Sequence, residues 1–358
     1  MESSAAGQLA NDTVIAENLR RLAALRPGVP VLSLYLDLDP SEFGTQPARA
    51  SAYTSLLDEA AKHVEAHDAD HDGRRSLREG VERARSFLDD YRPEAAHGIA
   101  IFAAPAADLF ETYSLPRAPR TNVVIDASPA IAPMIAAIDT RDWLIVAVDA
   151  KHVRFLHGNT AHVEELEHDR AHIAGQHERQ STSDHQRWVE HHIDQHLRDA
   201  AAEIDRLLAT GRHDRLVIGG PAEIATRFEQ RILSNPARQK LAGRFDVEVP
   251  DTIADDIRTA VAGCFEDDER RHERAVLDRL AERLGRGERA VAGIADVLAM
   301  LEQARVETLL YDDRAQTPPE ALEQAVEDAV TQSAEVLALR HHRDALQEHG
   351  DVAAVLRF

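Results

Sequence analysis

Three short apolar segments followed by a long amphipathic helix are the feature of this sequence that most limits its fold. The segments are residues 142–149, 152–157 and 161–166. Tight turns separate them, so they predict an antiparallel meander of three strands. Over residues 185–209, apolar side chains then recur at helical spacing, at Val189, Ile193, Leu197, Ala200, Ile204 and Leu207. This stripe predicts a helix that packs one face on the sheet and leaves the other in water.

A polar loop, residues 168–184, connects the predicted meander to this helix. The tripeptide Ala174-Gly175-Gln176 lies at its centre. A loop held between a sheet and a long helix can extend away from the domain that carries it. We therefore regard Gln176 as the first candidate functional residue.

The arrangement resembles the central domain of the archaeal and eukaryotic class I peptide-chain release factors and of Pelota, in which a Gly-Gly-Gln loop enters the peptidyl-transferase centre. Residues 292–298 and 301–310 and the final segment 350–358 resemble the L7Ae-like C-terminal domain of that superfamily. The opening strand, residues 30–37, is similar to its bacterial branch, which includes the Balon-like hibernation proteins. On these segments the chain is identified as a member of that bacterial branch.

The resemblance implies a translation factor that binds the ribosomal A site and places the Gln176 loop near the peptidyl-transferase centre. The implied partners are the 70S ribosome with its 23S rRNA, the P-site tRNA, and a translational GTPase such as elongation factor Tu. The implied process is ribosome hibernation or rescue. No cofactor is expected.

The loop departs from the family pattern at two positions. Ala174 stands where the family has its first glycine, and a Cβ there hinders positive φ and close backbone approach. Glu178 places an acid near the phosphates that line the ribosomal tunnel. We therefore favour a factor that binds the ribosome without hydrolysing peptidyl-tRNA. The alternative is an active peptidyl-tRNA hydrolase, for which Ala174, Gly175 and Gln176 are the candidate catalytic residues.

The net charge of −22 argues against a general nucleic-acid binder, because phosphate affinity depends on lysine and arginine. Contact with rRNA must then be local. The chain has three lysines, so most of its positive charge is arginine, which suits directed phosphate contacts. The candidate rRNA-binding residues are Arg179, Arg187, His192, Arg227, Arg231, Arg238, Lys240 and Arg244. The alternative for this charge run is a solvated helix face.

Strands and helices alternate along the chain, which predicts an α/β protein of three layered domains. The domains are an N-terminal domain over 1–122, a central release-factor-like domain over 123–248 with a mobile glutamine-bearing loop, and a C-terminal Pelota-like domain over 249–358. A strand over 247–249 and a helix over 291–303 are also predicted.

A metal-binding enzyme or sensor is a second alternative, from a different functional class. Asp68, Asp70, Asp72 and Glu79 match the spacing of an EF-hand calcium loop, but no second loop exists. A polar turn between helices is the simpler interpretation. His192 and His196 have the i,i+4 spacing of a metal pair without the glutamate of a zinc protease. We predict no metal site.

The single cysteine, Cys264, excludes an internal disulfide and suits a reducing compartment. The first residues have neither a basic start nor an apolar core, and no apolar stretch is long enough to cross a bilayer. These features predict a cytoplasmic protein without membrane association.

Overall fold

The computed structural model describes residues 12–93, 96–138, 141–160, 162–166, 182–250, 252–312, 314 and 318–358, and only the backbone of 12–16 and 182–189. This part of the chain forms a mixed α/β fold with three sheets, which confirms the predicted fold class. The chain divides into two compact units. The first unit is Met1–Asp139 with Arg270–Phe358, and the second is Thr140–Glu269. The division into three domains stays a prediction.

The N-terminal part of the first unit is an antiparallel sheet with strand order β3-β2-β1-β4. Its strands are β1 (Val31–Asp37), β2 (Gly98–Ala104), β3 (Leu109–Leu115) and β4 (Asn122–Asp126). Its helices are α1 (Asp12–Ala24), α2 (Pro40–Phe43), α3 (Gln46–Ala66), α4 (His71–Asp90) and α5 (Ala132–Ala137), with a 3-10 turn at Pro105–Ala107. Asn122, at the predicted first boundary, is the first residue of β4, which pairs with β1.

Strand β1 is apolar on both faces because both faces of its sheet are covered. Leu32 and Leu34 pack against α3 and α4, and Tyr35 packs into a second core on the opposite face. Burial of both faces explains why this strand reads as an almost continuous apolar run.

The second unit is a five-stranded sheet with strand order β7-β6-β5-β8-β9. Its elements are β5 (Trp143–Val148), β6 (Val153–Gly158), β7 (Val163–Glu165), α6 (Thr182–Ala209), β8 (Arg215–Gly219), α7 (Ala222–Arg227), a π-helical turn (Phe228–Ile232), α8 (Asn235–Lys240) and β9 (Leu241–Phe245). The β5-β6-β7 pairings are antiparallel, which confirms the predicted meander. The predicted strand over 247–249 is wrong, because the edge strand is β9, which pairs in parallel with β8.

Helices cover both faces of this five-stranded sheet. Leu144 and Val146 of β5 face the core that holds Leu197 and Ile204 of α6. The alternate residues of β5, including Trp143, face α9 (Ala254–Arg286), a helix of 33 residues. The period-two alternation of β5 thus assigns successive side chains to two separate cores.

The C-terminal part of the first unit is a four-stranded sheet with strand order β10-β13-β11-β12. Its elements are β10 (Ala290–Ala292), α10 (Ile294–Glu302), β11 (Val306–Asp312), α11 (Pro319–Thr331), β12 (Glu335–Leu339), a 3-10 helix (Arg343–His349) and β13 (Val352–Leu356). The β11-β12 pair is parallel and the other two pairs are antiparallel. The start of the predicted helix over 291–303 is wrong, because residues 290–292 are a strand.

One hydrophobic core joins the two sheets of the first unit. Tyr35 and Phe102 of the N-terminal sheet share it with Tyr311 and Val352 of the C-terminal sheet and with Val326 of α11. The beginning and the end of the chain therefore build a single packed layer. Within the described ranges, no helix is both long and apolar enough to cross a membrane.

Candidate functional site

The predicted reactive loop lies between two well-bonded elements of the second unit. Ala174, Gly175, Gln176 and Arg179 lie outside the described residues, and Arg187 is described only in its backbone. The described chain stops at Leu166, whose amide still donates a 2.8 Å hydrogen bond to the carbonyl oxygen of Phe155 in β6. It resumes at the start of α6. The loop therefore follows β7, the last strand of the meander, and leads into α6.

Arg227, at the end of α7, holds the first half of α6. Its Nε and Nη2 lie 2.9 and 2.7 Å from Oδ1 of Asp194, and Nη2 donates to the carbonyl oxygen of Glu190 at 3.5 Å. Both side chains are partly buried. The Asp194 carboxylate therefore neutralises the Arg227 charge, and the contact links α7 to α6, the helix that follows the loop.

A second arginine, Arg238 of α8, contacts the π-helical turn Phe228–Ile232. Arg238 donates from Nε and Nη2 to the carbonyl oxygens of Glu229 and Gln230, both at 2.9 Å. The guanidinium satisfies two carbonyl groups that this widened turn directs toward it. Arg231 lies in the turn, is exposed, and has no hydrogen bond or ion pair to any described residue.

Two more predicted cations are Lys240, the last residue of α8, and Arg244 of β9. Lys240 donates from Nζ to the carbonyl oxygen of His213 at 2.6 Å. Arg244 lies 3.4 Å from the Glu229 carboxylate and donates to Oγ1 of Thr226 at 2.8 Å.

The predicted cluster therefore separates into two groups. Arg227 and Arg244 face carboxylates, whereas Arg231, Arg238 and Lys240 keep charges that no carboxylate of the described chain neutralises. The second group can attract an anion without first breaking an ion pair.

The histidines of α6 divide by burial. The ring of His192 packs edge-on against His191, with ring centres 5.9 Å apart. His196 is buried, and its Nε2 has no hydrogen-bond partner in the part of the chain that is described. In the i,i+4 pair, the His192 ring is therefore half-buried and the His196 ring lies in the core.

Sequence analysis missed a partly buried group of acids and histidines at one end of the five-stranded sheet. Nε2 of His157 lies 2.6 Å from Glu164, and its Nδ1 lies 3.9 Å from Asp142. Nδ1 of His213 lies 3.5 Å from the same Asp142 carboxylate, as does Nε of Arg212. Burial, and then the Arg212 charge, lower the pKa of His157, whereas Asp142 and Glu164 oppose that shift.

The positions of these residues next to strand ends could have indicated the group. Asp142 directly precedes β5, His157 lies near the end of β6, and His213 stands two residues before β8. Antiparallel β5-β6 pairing and parallel β5-β8 pairing bring these three positions to the same end of the sheet. Strand direction, rather than spacing along the chain, is what was needed to find them.

A cleft of about 1030 Å³ in the C-terminal part of the first unit was also missed. It is lined by residues from four separated segments and carries both signs of charge. The charged lining residues are Asp296, Asp312, Arg314, Arg343, Asp344 and Asp351. The opposite charges balance in part, so the cleft offers no strong preference for an anion or a cation.

The candidate calcium loop forms a capped turn. The Asp70 side chain accepts a 2.7 Å hydrogen bond from the Gly73 amide and caps α4, which begins at His71. Arg74 donates to the carbonyl oxygens of His67 and Ala69 at 3.4 and 3.3 Å. Glu79 is already inside the helix and lies 2.7 Å from Arg83. The arrangement favours the polar turn over a calcium loop, because its acids are engaged locally and spread along a helix.

Calcium is expected to leave the melting temperature unchanged, because no pre-arranged ligand set would bind only the folded protein. Asp70→Ala is expected to lower the free energy of unfolding by about 1 kcal/mol through loss of the helix cap. Asp68→Ala, the matched control, is expected to change neither value. Thermal melts with and without millimolar calcium test this, and a calcium-dependent rise that Asp68→Ala removes would contradict it.

A match to a protein-family model supports the predicted relation. The model of the bacterial archaeo-eukaryotic release factor family 10 matches residues 129–282, which confirms that relation over this segment. No curated protein matches the sequence.

Among solved structures, an archaeal translation termination factor, aRF1, aligns over 97% of both chains with 20% identity and a TM-score of 0.28. Ribosome-bound archaeal Pelota, from a model that also contains ABCE1, aligns over 60% of this chain and 61% of its own with 18% identity and a TM-score of 0.43. Dom34 of S. cerevisiae, a translation termination-like factor that interacts with Hbs1, aligns over 77% and 78% with 10% identity and a TM-score of 0.42.

Proposed function

We infer that this chain, whose residues 129–282 match the family 10 model of the bacterial archaeo-eukaryotic release factors, is a release-factor-like translation factor that binds the ribosome. In this proposal it occupies the A site, places the Gln176 loop near the peptidyl-transferase centre, and acts in ribosome hibernation or rescue. The family match over the segment that contains Gln176 is the observation that carries the proposal.

The position of the loop supports a reaching role. Fifteen residues, 167–181, separate the last described residue of the meander from the first residue of α6. A segment of that length can span about 50 Å fully extended, so its centre can reach roughly 25 Å from its base. Gln176 lies close to the middle of the segment, where the reach is greatest. The Arg227–Asp194 contact braces the first half of α6, the helix that follows the segment.

Local charge supports contact with a phosphate backbone despite the net charge of −22. Arg231 lies in the π-helical turn, and Arg238 of α8 donates hydrogen bonds to that turn. Both are exposed and have no carboxylate partner among the described residues. Release of counterions from a few phosphates would supply affinity here. The rest of the acidic surface would oppose binding to RNA in general, which limits binding to sites of matching shape.

The chemistry of the loop supports binding without hydrolysis. Ester hydrolysis would require Gln176 and the adjacent backbone to position a water and stabilise an oxyanion. The side chain of Ala174 restricts the backbone conformations that a glycine would allow. The 23S rRNA, the P-site tRNA and a translational GTPase such as elongation factor Tu are the proposed partners. The alternative is an active peptidyl-tRNA hydrolase, for which Gln176 and Gly175 are the supporting residues.

The native chain is expected to co-sediment with 70S ribosomes at low salt, and Arg231→Glu with Arg238→Glu should weaken this binding. We expect at least a tenfold loss of affinity at about 100 mM salt, and a salt dependence reduced by about two charges, because each arginine is expected to neutralise one phosphate. Affinities from pelleting assays across a salt series provide the measurement.

Arg206→Glu is the matched control for this experiment. Arg206 is an exposed arginine of the same unit, but Glu203 already neutralises it. Its reversal should leave ribosome binding within about twofold of the native value. Equal losses in both variants would show that only overall charge matters, and failure of the native chain to pellet with ribosomes would refute the proposed function.

A further inference from the structure

A short chain segment in the first unit is held by side chains that can titrate. Residues 128–132 follow β4 and end at Ala132, the first residue of α5, and α11 packs against α5. The Glu323 carboxyl of α11 accepts hydrogen bonds from the amides of Ile131 and Ala132. Glu323 is 8% exposed, so these contacts are shielded from water.

A second buried carboxyl of the same helix holds the start of the segment. Glu327, one helical turn after Glu323, accepts a hydrogen bond from the hydroxyl of Ser128 at 2.5 Å. It also lies 2.5 Å from the Arg26 guanidinium. Glu327 is 6% exposed, whereas more than half of the Arg26 side chain is open to solvent.

Neutral groups complete the attachment of this segment. The Tyr35 hydroxyl donates to the carbonyl oxygen of Ala130 at 2.5 Å, and the Tyr311 hydroxyl donates to that of Ala132 at 2.8 Å. The Ala130 amide donates to Oγ of Ser33 at 3.0 Å. These bonds keep their form across the pH range in which carboxyl groups titrate.

The charges around the pair are unbalanced. Glu323 faces Glu327 on its own helix, Asp126 at the end of β4, and the hydroxyl of Tyr35. Glu327 also faces Asp126, and Arg26 is the cation that acts on it. Asp328, the next residue of α11, also faces Arg26 and Glu302, the last residue of α10. One solvated guanidinium thus faces several carboxyl groups, and a full set of negative charges here would be costly.

We propose that Glu323 and Glu327 form a proton-dependent latch, which holds residues 128–132 against α11 while Glu323 is protonated and releases them when Glu323 loses its proton. A neutral Glu323 still accepts the two backbone hydrogen bonds through its carboxyl oxygens. An ionised Glu323 adds a buried negative charge beside Glu327 and Asp126. Release of the segment admits water to that charge.

The direction of the pH dependence follows from the shifted titration of Glu323. Burial is the main cause that raises its pKa, to about 8, from an ordinary value of 4.5; Glu327 and Asp126 add to the rise, and the two amide bonds oppose it. Closing of the latch therefore takes up a proton. The free energy that favours the closed state is largest below about pH 4.5, falls as pH rises toward 8, and changes little above that value.

Hydrogen exchange of the full-length chain between pH 5.5 and 8.5 tests the latch. After correction for intrinsic rates, the protection of the Ile131 and Ala132 amides should fall about tenfold per pH unit up to pH 7.5 and level off above pH 8. In Glu323→Gln, which keeps an acceptor and cannot ionise, protection should not depend on pH. Strand β5 of the second unit serves as the internal reference.

Glu320→Gln is the matched control, because Glu320 is an exposed acid in the first turn of the same helix. It should behave like the native chain. Carbon-13 titration of the glutamate carboxyl groups in the native chain should show one midpoint near pH 8, a result that does not depend on the folding of any variant. The latch is overturned if every glutamate titrates below about pH 6, if native protection is flat, or if Glu323→Gln retains the native pH dependence.

Discussion

Asp268→Ala is expected to lower the free energy of unfolding of the second unit by about 3 to 5 kcal/mol. Asp268 of α9 is buried and lies 3.0 Å from both Nη1 of Arg141 and Nε of Arg215. Arg141 also lies over the ring of the buried Trp143, 5.9 Å from its centre. Loss of the carboxylate would remove the anion that both partly buried guanidinium groups contact. Removal of one partner from such a group is among the most destabilising single changes.

The readout for this prediction is tryptophan fluorescence during urea unfolding. Both tryptophans of the chain, Trp143 and Trp188, belong to the second unit, so the signal reports on that unit. Glu266→Ala removes an exposed acid two residues away in the same helix and should change stability by less than about 0.5 kcal/mol. A similar small effect from Asp268→Ala would mean that water already solvates the two arginines.

Purified native protein is expected to bind ribosomes that carry peptidyl-tRNA and an empty A site without releasing the peptide. If Ala174 and Glu178 disable the loop, Ala174→Gly with Glu178→Ala should raise peptide release about 100-fold, the cost typical of a misplacement of roughly 1 Å. The rate of peptide release in a single-turnover assay provides the measurement.

Two further variants separate the outcomes of the release assay. Gln176→Ala in the restored background should abolish the gain, because the glutamine is the proposed positioning group for water. Glu178→Ala alone, with Ala174 retained, should give a smaller gain if backbone freedom is the main defect. Release by the native chain at a rate that falls with Gln176→Ala would make this protein a working hydrolase and end the non-hydrolytic proposal.

Local patterns were sufficient to predict the central elements of the fold. Strands β5 and β7 lie within the predicted segments 142–149 and 161–166, and the meander was found from its apolar segments and turns. Strand β9 was missed because Leu241–Phe245 has a glycine and an arginine among five residues and only partial burial. Its parallel partner β8, rather than its own pattern, makes it a strand.

The buried polar groups could not be predicted, because their burial depends on contacts between distant parts of the chain. Glu323 and Glu327 lie in a helix whose sequence reads as an ordinary charged surface helix. They are buried because α11 lies in the layer that two sheets share. Asp142 and His213 are likewise 71 positions apart and meet through strand pairing.

The charge run at residues 227–244 shows what a sequence can and cannot resolve. Its composition predicted a cationic surface, and Arg231 fits that prediction as an exposed and unpaired side chain among the described residues. The partners of Arg227 and Arg244 could not be read from spacing, because Asp194 and Glu229 approach through the packing of α6, α7 and the π-helical turn. Only a structure separates arginines that are neutralised from those that are available.

The shared core of the first unit has a consequence for biosynthesis. Residues 140–269 are contiguous and can fold as soon as they leave the ribosome, but the apolar face that carries Tyr35 and Phe102 must wait for strands made more than 200 residues later. At about 5–20 residues per second, this delay is roughly 10 to 40 seconds. During that time the nascent chain would expose one apolar face of its first sheet, which chaperones could bind. Stalled synthesis would prolong this exposure.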